Sequence, residues 1–252
     1  MKRATISLLL SVVISAPPLF AGQIYVRAAG GIASAQSAAM RDVSCESTDP
    51  AALFGCGAGR DGRPLQAWGS PGSSLTWSAG AGYELGRFRA GLVLEQFGDF
   101  SLDAQANFRN VNGPQPVSAD IRSRAVKAEI AIDLSRADAL VHPFVMLGVG
   151  KARNHICEVR FDFPTIAPDA VTITPSGNHD DTVWSAGGGV TTRLTRSLDL
   201  DVAIRYDDRG DARTESGIAT IVRPRGTFEV EIAPTRIPLR TIGVEWSLRY
   251  RF

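Results

Sequence analysis

The chain has 252 residues, 44 % of them hydrophobic and 21 % charged, with a formal net charge of +1. That length suits one large all-β domain or two small domains. The composition excludes a disordered tail, and the even charge balance argues against nucleic acid as a partner. Three cysteines without C-x-x-C spacing exclude a disulfide scaffold and a zinc or dithiol motif.

Residues 1–21 read as a targeting segment. Lys2 and Arg3 precede a short apolar run at 6–14, Pro17 and Pro18 break it, and Leu19-Phe20-Ala21 offers a cleavage site. The run is too short to span a bilayer as a helix. Its removal takes away two positive charges and no acids, which leaves residues 22–252 at −1. No run of 18 apolar residues follows, so a helical membrane protein is excluded. An exported chain of this kind is either soluble outside the cytoplasm or a membrane β-barrel.

In chain order, the first strand is expected at 23–34, where the alternation is weak. At 75–85, Leu75, Trp77, Ala79, Ala81, Tyr83 and Leu85 share one parity. At 88–95, Phe88, Ala90, Leu92 and Leu94 alternate with Arg89, Gly91, Val93 and Glu95. At 126–134, Val126, Ala128, Ile130, Ile132 and Leu134 alternate with Lys127, Glu129 and Asp133. Weaker strands follow at 143–153 and 182–194. At 198–207, Leu198 to Tyr206 alternate with Asp199, Asp201, Arg205 and Asp207. The last runs from Thr241 to Phe252, with Ile242, Val244, Trp246, Leu248, Tyr250 and Phe252 on one face and Glu245, Arg249 and Arg251 on the other. Side chains alternate across a strand, so each strand has one apolar and one polar face.

An echo links two of these strands: Trp77-Ser78-Ala79-Gly80-Ala81-Gly82 resembles Trp184-Ser185-Ala186-Gly187-Gly188-Gly189. Connections alternate between short (Gly86, 135–142, 195–197) and long (35–73, 98–121, 154–181, 209–238). Short turns at one end and long loops at the other mark an up-and-down barrel. Every proline after the targeting segment falls in a long connection or, for Pro143, at a strand start. Residues 218–222 and 227–232 flank Arg223-Pro224-Arg225-Gly226 as a candidate loop hairpin.

A soluble sandwich would turn its apolar faces inward. Long strands, Trp and Tyr near strand ends and mixed charge on the polar face favour the inverted case, in lipid. The expected fold is therefore all-β: an eight-stranded antiparallel up-and-down transmembrane β-barrel with long external loops. A bore that narrow holds only side chains. Arg89, Glu95, Lys127, Glu129, Asp201, Arg205, Glu245 and Arg249, with Arg251, are expected to fill it as an ion-paired plug. A thin water path is the alternative.

The chain resembles the small outer-membrane β-barrel family of Gram-negative bacteria, of OmpA, OmpX and opacity type, a porin-family barrel domain. The targeting segment carries the resemblance, with Tyr25-Val26-Arg27-Ala28-Ala29-Gly30-Gly31, Pro143-Phe144-Val145-Met146-Leu147-Gly148-Val149-Gly150 and the terminal Trp246–Phe252 stretch. It implies a bacterial outer-membrane location with outer-membrane lipid and the barrel-assembly machinery as partners. It also implies that Tyr250 and Phe252 form the assembly signal.

In the oxidising envelope, Cys45 and Cys56 are candidates for a loop-closing disulfide, with two free thiols as the alternative. Cys157 is left to pair with either or stay free. His142 falls in an expected periplasmic turn. His155, His179, Asp180 and Asp181 lie in a long loop and read as solvated polarity before they read as metal ligands. Asp207-Asp208-Arg209-Gly210-Asp211 lacks calcium-loop spacing, and its Arg-Gly-Asp tripeptide reads as a strand rim. No Ser–His arrangement and no G-x-S-x-G elbow is present, so no enzyme activity and no cofactor is expected. The expected role is structural and interactive, with loops presented to an unidentified external ligand. A porin-like small-solute channel and a soluble exported β-sandwich binding module are the alternatives.

Overall fold

The computed structural model describes residues 22–135 and 141–252. The expected targeting segment and its boundary at residue 21 lie outside the described residues, as do 136–140. Alternating β-branched, aromatic and small residues suit a pleated surface, and each alternating run forms a strand. In chain order the strands are β1 (Gln23–Ala35), β2 (Ala38–Asp42), β3 (Ala67–Ser70), β4 (Ser73–Leu85), β5 (Phe88–Ala106), β6 (Gln115–Asp133) and β7 (Val141–Ile156). They continue with β8 (Val159–Asp162), β9 (Val171–Thr174), β10 (Gly177–Arg193), β11 (Leu198–Arg213), β12 (Gly217–Arg223), β13 (Gly226–Ile232) and β14 (Thr235–Arg251). All belong to one 14-stranded sheet, and the described residues contain no helix.

Eight antiparallel pairings form a series that returns to its start. β1 pairs with β4, β4 with β5, β5 with β6, β6 with β7, β7 with β10, β10 with β11, β11 with β14, and β14 with β1. The echoed hexapeptides lie on β4 and β10, the second and sixth strands of this series. The other six strands sit in the connections at one end: β2 and β3 between β1 and β4, β8 and β9 between β7 and β10, β12 and β13 between β11 and β14.

Three expectations need correction. The long connection expected at 98–121 is mostly strand: β5 runs on to Ala106 and β6 begins at Gln115. The cause is an exchange of apolar and polar parity within single strands, while on β6 the same parity stays inward. On the lower part of β6, Lys127 and Glu129 are buried while Val126 and Ile130 are exposed. On its upper part, Val117, Ala119 and Ile121 are buried while Ser118, Asp120 and Arg122 are exposed. The apolar parity therefore switches although the strand continues. β5 adds a bulge between Phe97 and Phe100, where one extra residue shifts the inward parity from Glu95 and Phe97 to Phe100 and Leu102.

The second correction concerns proline. Pro116 is the second residue of β6 and Pro238 the fourth of β14. Pro238 pairs with Asp211 beside the β11 bulge, beyond the last β1 partner Thr241. A proline without an N–H is tolerated at such a break in the ladder. The third is His142, which is the second residue of β7, buried, with Nδ1 2.8 Å from the Ser135 hydroxyl.

Gly210 forms the β11 bulge at φ +71°, and a Cβ there would clash with the Asp181 carboxylate. Gly113, at φ +73°, has open space around it. Each glycine-to-alanine change carries the left-handed penalty of about 1 kcal/mol. Gly210→Ala should lower the urea midpoint clearly more than Gly113→Ala, because only it adds a clash. Equal shifts would show that the bulge tolerates a side chain.

Candidate functional site

The interior of the strand series is the candidate site. Its residues arrive there because the polar parity of β1, β4, β5, β6, β11 and β14 points inward while the apolar parity points out. Leu92, Ile130, Leu147, Ile204 and Leu248 are all about half or more exposed on the outside.

A central layer holds four cations and four carboxylates. Lys127, with no exposure, lies 2.8 Å from Glu95, 2.9 Å from Asp207 and 3.6 Å from Glu129. Arg205 contacts Glu95 and reaches Asp207 and Glu245 at 3.1 Å each. Arg27 bridges Glu129 at 3.0 Å and Glu245 at 2.5 Å. Arg209 meets Glu95 at 2.7 Å, donates to the Ser123 hydroxyl and stacks over the Phe97 ring. The layer is neutral as a whole, as so many desolvated charges require.

A second layer lies toward the short turns. Arg89 pairs with Asp133 at 2.7 Å and with Asp201 at 3.6 Å. Arg249 contacts Glu84 and reaches Asp199 at 3.1 Å and Asp201 at 3.4 Å. Arg251 meets Asp199 at 3.1 Å. Between the layers is a cavity of about 30 Å³, lined by Tyr25, Arg27, Arg89, Phe144 and Ser247 among others. It has room for a few waters and no larger solute.

The third layer is apolar and fills the end with the long connections. Phe100, Leu102, Ile121, Ile156, Ile237 and Leu239 point inward from the strands. Phe54, Phe108 and Phe161, from three different connections, stack over them with ring centroids 5.3–5.9 Å apart. Asp42 at the end of β2 accepts N–H bonds from Leu53, Phe54 and Gly55 and so anchors Phe54. Burial pushes the Asp42 carboxyl above its ordinary range, against the pull of those donors.

All eight interior charges named from the sequence, with Arg251, occupy this interior, divided between two layers. Arg27, Glu84, Asp133, Asp199, Asp207 and Arg209 join them. Asp207 continued the visible alternation of β11, so extending that parity would have found it. Arg209 lay in an expected loop: it has no exposure, so the Arg-Gly-Asp tripeptide has its arginine inside the sheet. Cys45 and Cys56 are joined by a disulfide, and Cys157 is free. His179 and Asp181 come within 3.9 Å, while His155 pairs across the ladder with Asn178. Among the described residues no group of three or more His, Cys, Asp or Glu could hold a metal ion. Tyr250 and Phe252 stack edge-on at 5.1 Å on the outer surface beside the short turns.

No protein-family model matches the chain, and neither does any curated protein. The chain is similar in structure to surface and outer-membrane proteins of Gram-negative bacteria. Neisserial surface protein A shares 15 % identity over 91 % of this chain and 97 % of its own, with a TM-score of 0.44. The outer membrane protein OprG from Pseudomonas aeruginosa shares 15 % over 92 % and 97 %, with a TM-score of 0.49. The outer membrane protease OmpT from Escherichia coli shares 10 % over 91 % and 97 %, also with 0.49.

Lys127 neutralises three carboxylates, so Lys127→Met should cost about 3–5 kcal/mol in a urea titration of the refolded chain, through charge left buried and unpaired. The double variant Lys127→Met/Glu95→Gln should recover part of that loss, since it returns the layer to three cations and three carboxylates. Additive losses would show that the two side chains are not coupled.

Proposed function

We propose that the chain is a bacterial outer-membrane protein whose eight serially paired strands close as a transmembrane barrel. In this reading a plugged lumen leaves the external loops as the working surface. The observation that carries it is the sorting of side chains around the ring: an apolar outer band, a charge-neutral interior and an apolar cap where the loops meet. In lipid every backbone N–H and C=O needs a partner, which a closed series supplies. On β7 the exposed apolar positions run from Val141 to Val149, nine residues, against the about 9–11 that a tilted spanning strand needs. Above that band the strands change to polar outside and apolar inside, the pattern of a sheet in water. The long connections then face the exterior.

The role that follows is structural and interactive. Solutes meet two ion-paired layers and an aromatic cap, so the lumen supports a stabilising plug over a porin-like channel or a catalytic cleft. The loops, tied by the Cys45–Cys56 disulfide and the Phe54 cluster, form an ordered platform for an external ligand. Tyr250 and Phe252 serve as the signal read by the barrel-assembly machinery. Residues 1–21 direct export and are removed.

Three measurements test this. The refolded chain should migrate differently on gels before and after heating and should give no discrete conductance steps in a planar bilayer. Reproducible steps would make the lumen a channel. Leu248→Arg places a charge in the outer band and should cost about 2–4 kcal/mol in a bilayer. Ser247→Arg enters the lumen beside Asp201 and should act through crowding, with a loss that does not depend on lipid. A Leu248→Arg variant as stable in lipid as the parent chain would refute the membrane assignment.

A further inference from the structure

Where the apolar band of β6 and β7 ends, three cations stand together on the outside of the ring. Arg124 lies directly across the ladder from Arg153, and Lys151 is two residues below Arg153 on the same strand. All three are exposed. Directly opposite side chains on an antiparallel pair have Cβ atoms about 4.5–5.5 Å apart, and like charges there are unfavourable. Among the described residues nothing relieves them fully. Arg153 has Asp180 at 3.7 Å, Lys151 has only the Thr182 hydroxyl at 3.2 Å, and Arg124 has no carboxylate within ion-pair distance among the described residues. Three positive charges thus face one negative charge.

Comparable outward cations are paired. Arg122, one step further out, holds Asp99 through two donors, and Arg240 on the opposite side of the ring holds Asp208 at 3.0 Å. The trio, with its excess of two positive charges, also borders a surface groove of about 590 Å³ whose lower wall is Trp77, Leu94 and Val126. Cations above and an aromatic and aliphatic wall below describe a ligand with an anionic head and hydrocarbon tails.

We infer that this groove, formed by β4, β5, β6, β7 and the edge of β10, binds a phosphorylated acyl lipid of the outer leaflet. The phosphate is held between Arg124, Lys151 and Arg153, and the acyl chains lie against Trp77, Leu94 and Val126. The inference rests on the membrane reading above, since only in a bilayer do these cations sit at headgroup height. Guanidinium groups match phosphate oxygens through paired donors, and basic pockets at this depth suit anionic headgroups. A bound phosphate would also remove the Arg124–Arg153 repulsion, so binding should tighten the sheet at its outer edge.

The test is equilibrium binding of three probes to the folded chain in zwitterionic micelles: diphosphorylated lipid A, the same lipid without phosphates, and inorganic phosphate. The parent chain should bind the phosphorylated lipid at least tenfold more tightly than either other probe. Arg124→Gln/Lys151→Gln/Arg153→Gln should lose at least tenfold, Asp180→Asn should gain, and Arg240→Gln should leave binding unchanged. Equal binding of phosphorylated and dephosphorylated lipid would overturn the proposal, as would inorganic phosphate binding as tightly as the lipid. So would a folded triple variant that binds like the parent, and should the triple variant not fold, an Asp180→Asn variant without any gain would do the same. Each variant is first checked for the heat-dependent gel shift. A parent chain that lacks the shift refutes the membrane reading itself, whereas a normal shift with undiscriminating binding refutes only the lipid site.

Discussion

Lys127 has no contact with solvent, yet it carries a charge and touches three carboxylates. Those carboxylates are held in turn by Arg205, Arg209 and Arg27, which come from strands on other sides of the ring. Charge buried in so narrow a space has to be neutralised where it stands, because each uncompensated ion costs several kcal/mol. This constraint fixes which strands neighbour one another and in what register. A slip by one residue would send every charge to the apolar outside and every leucine inward. The paired interior is thus less a source of net stability than a lock on the arrangement.

The same constraint accounts for the division of the molecule along its axis. The ion-paired layers occupy the section whose outer surface is apolar. Beyond it the outside turns polar and the inside turns to phenylalanine, leucine and isoleucine. The bulges at Gly98-Asp99 on β5 and at Gly210 on β11 lie at this transition. They adjust the inward parity where the filling changes from charge to hydrocarbon, and Arg209 spans the step. Its guanidinium pairs with Glu95 below while its plane covers Phe97 above.

The unbalanced trio on β6 and β7 differs from everything inside. Inner charges find opposite charges within the chain, while among the described residues Arg124 and Lys151 have no carboxylate partner. A protein that neutralises its buried ions so thoroughly, and leaves these exposed at the edge of its apolar band, directs them at something in its surroundings.

The strands at 75–85, 88–95, 126–134, 198–207 and 241–252 were legible in the sequence because their alternation is local. Side-chain direction across a strand depends only on position along it. The eight interior charges were legible for the same reason, once the parity of each strand was read. The upper halves of β5 and β6 were not. There the apolar parity reverses from Ile121 to Val126, a change that looks like the end of a strand when the surroundings are unknown. Nor could sequence pair Lys127 with Asp207, or place Arg209 inside, since partners 80 residues apart in the chain meet only through the pairing of the strands between them. Alternation along the chain dictates which residues share a face. Which faces meet depends on the folded chain, because register and strand order bring distant charges within bonding distance.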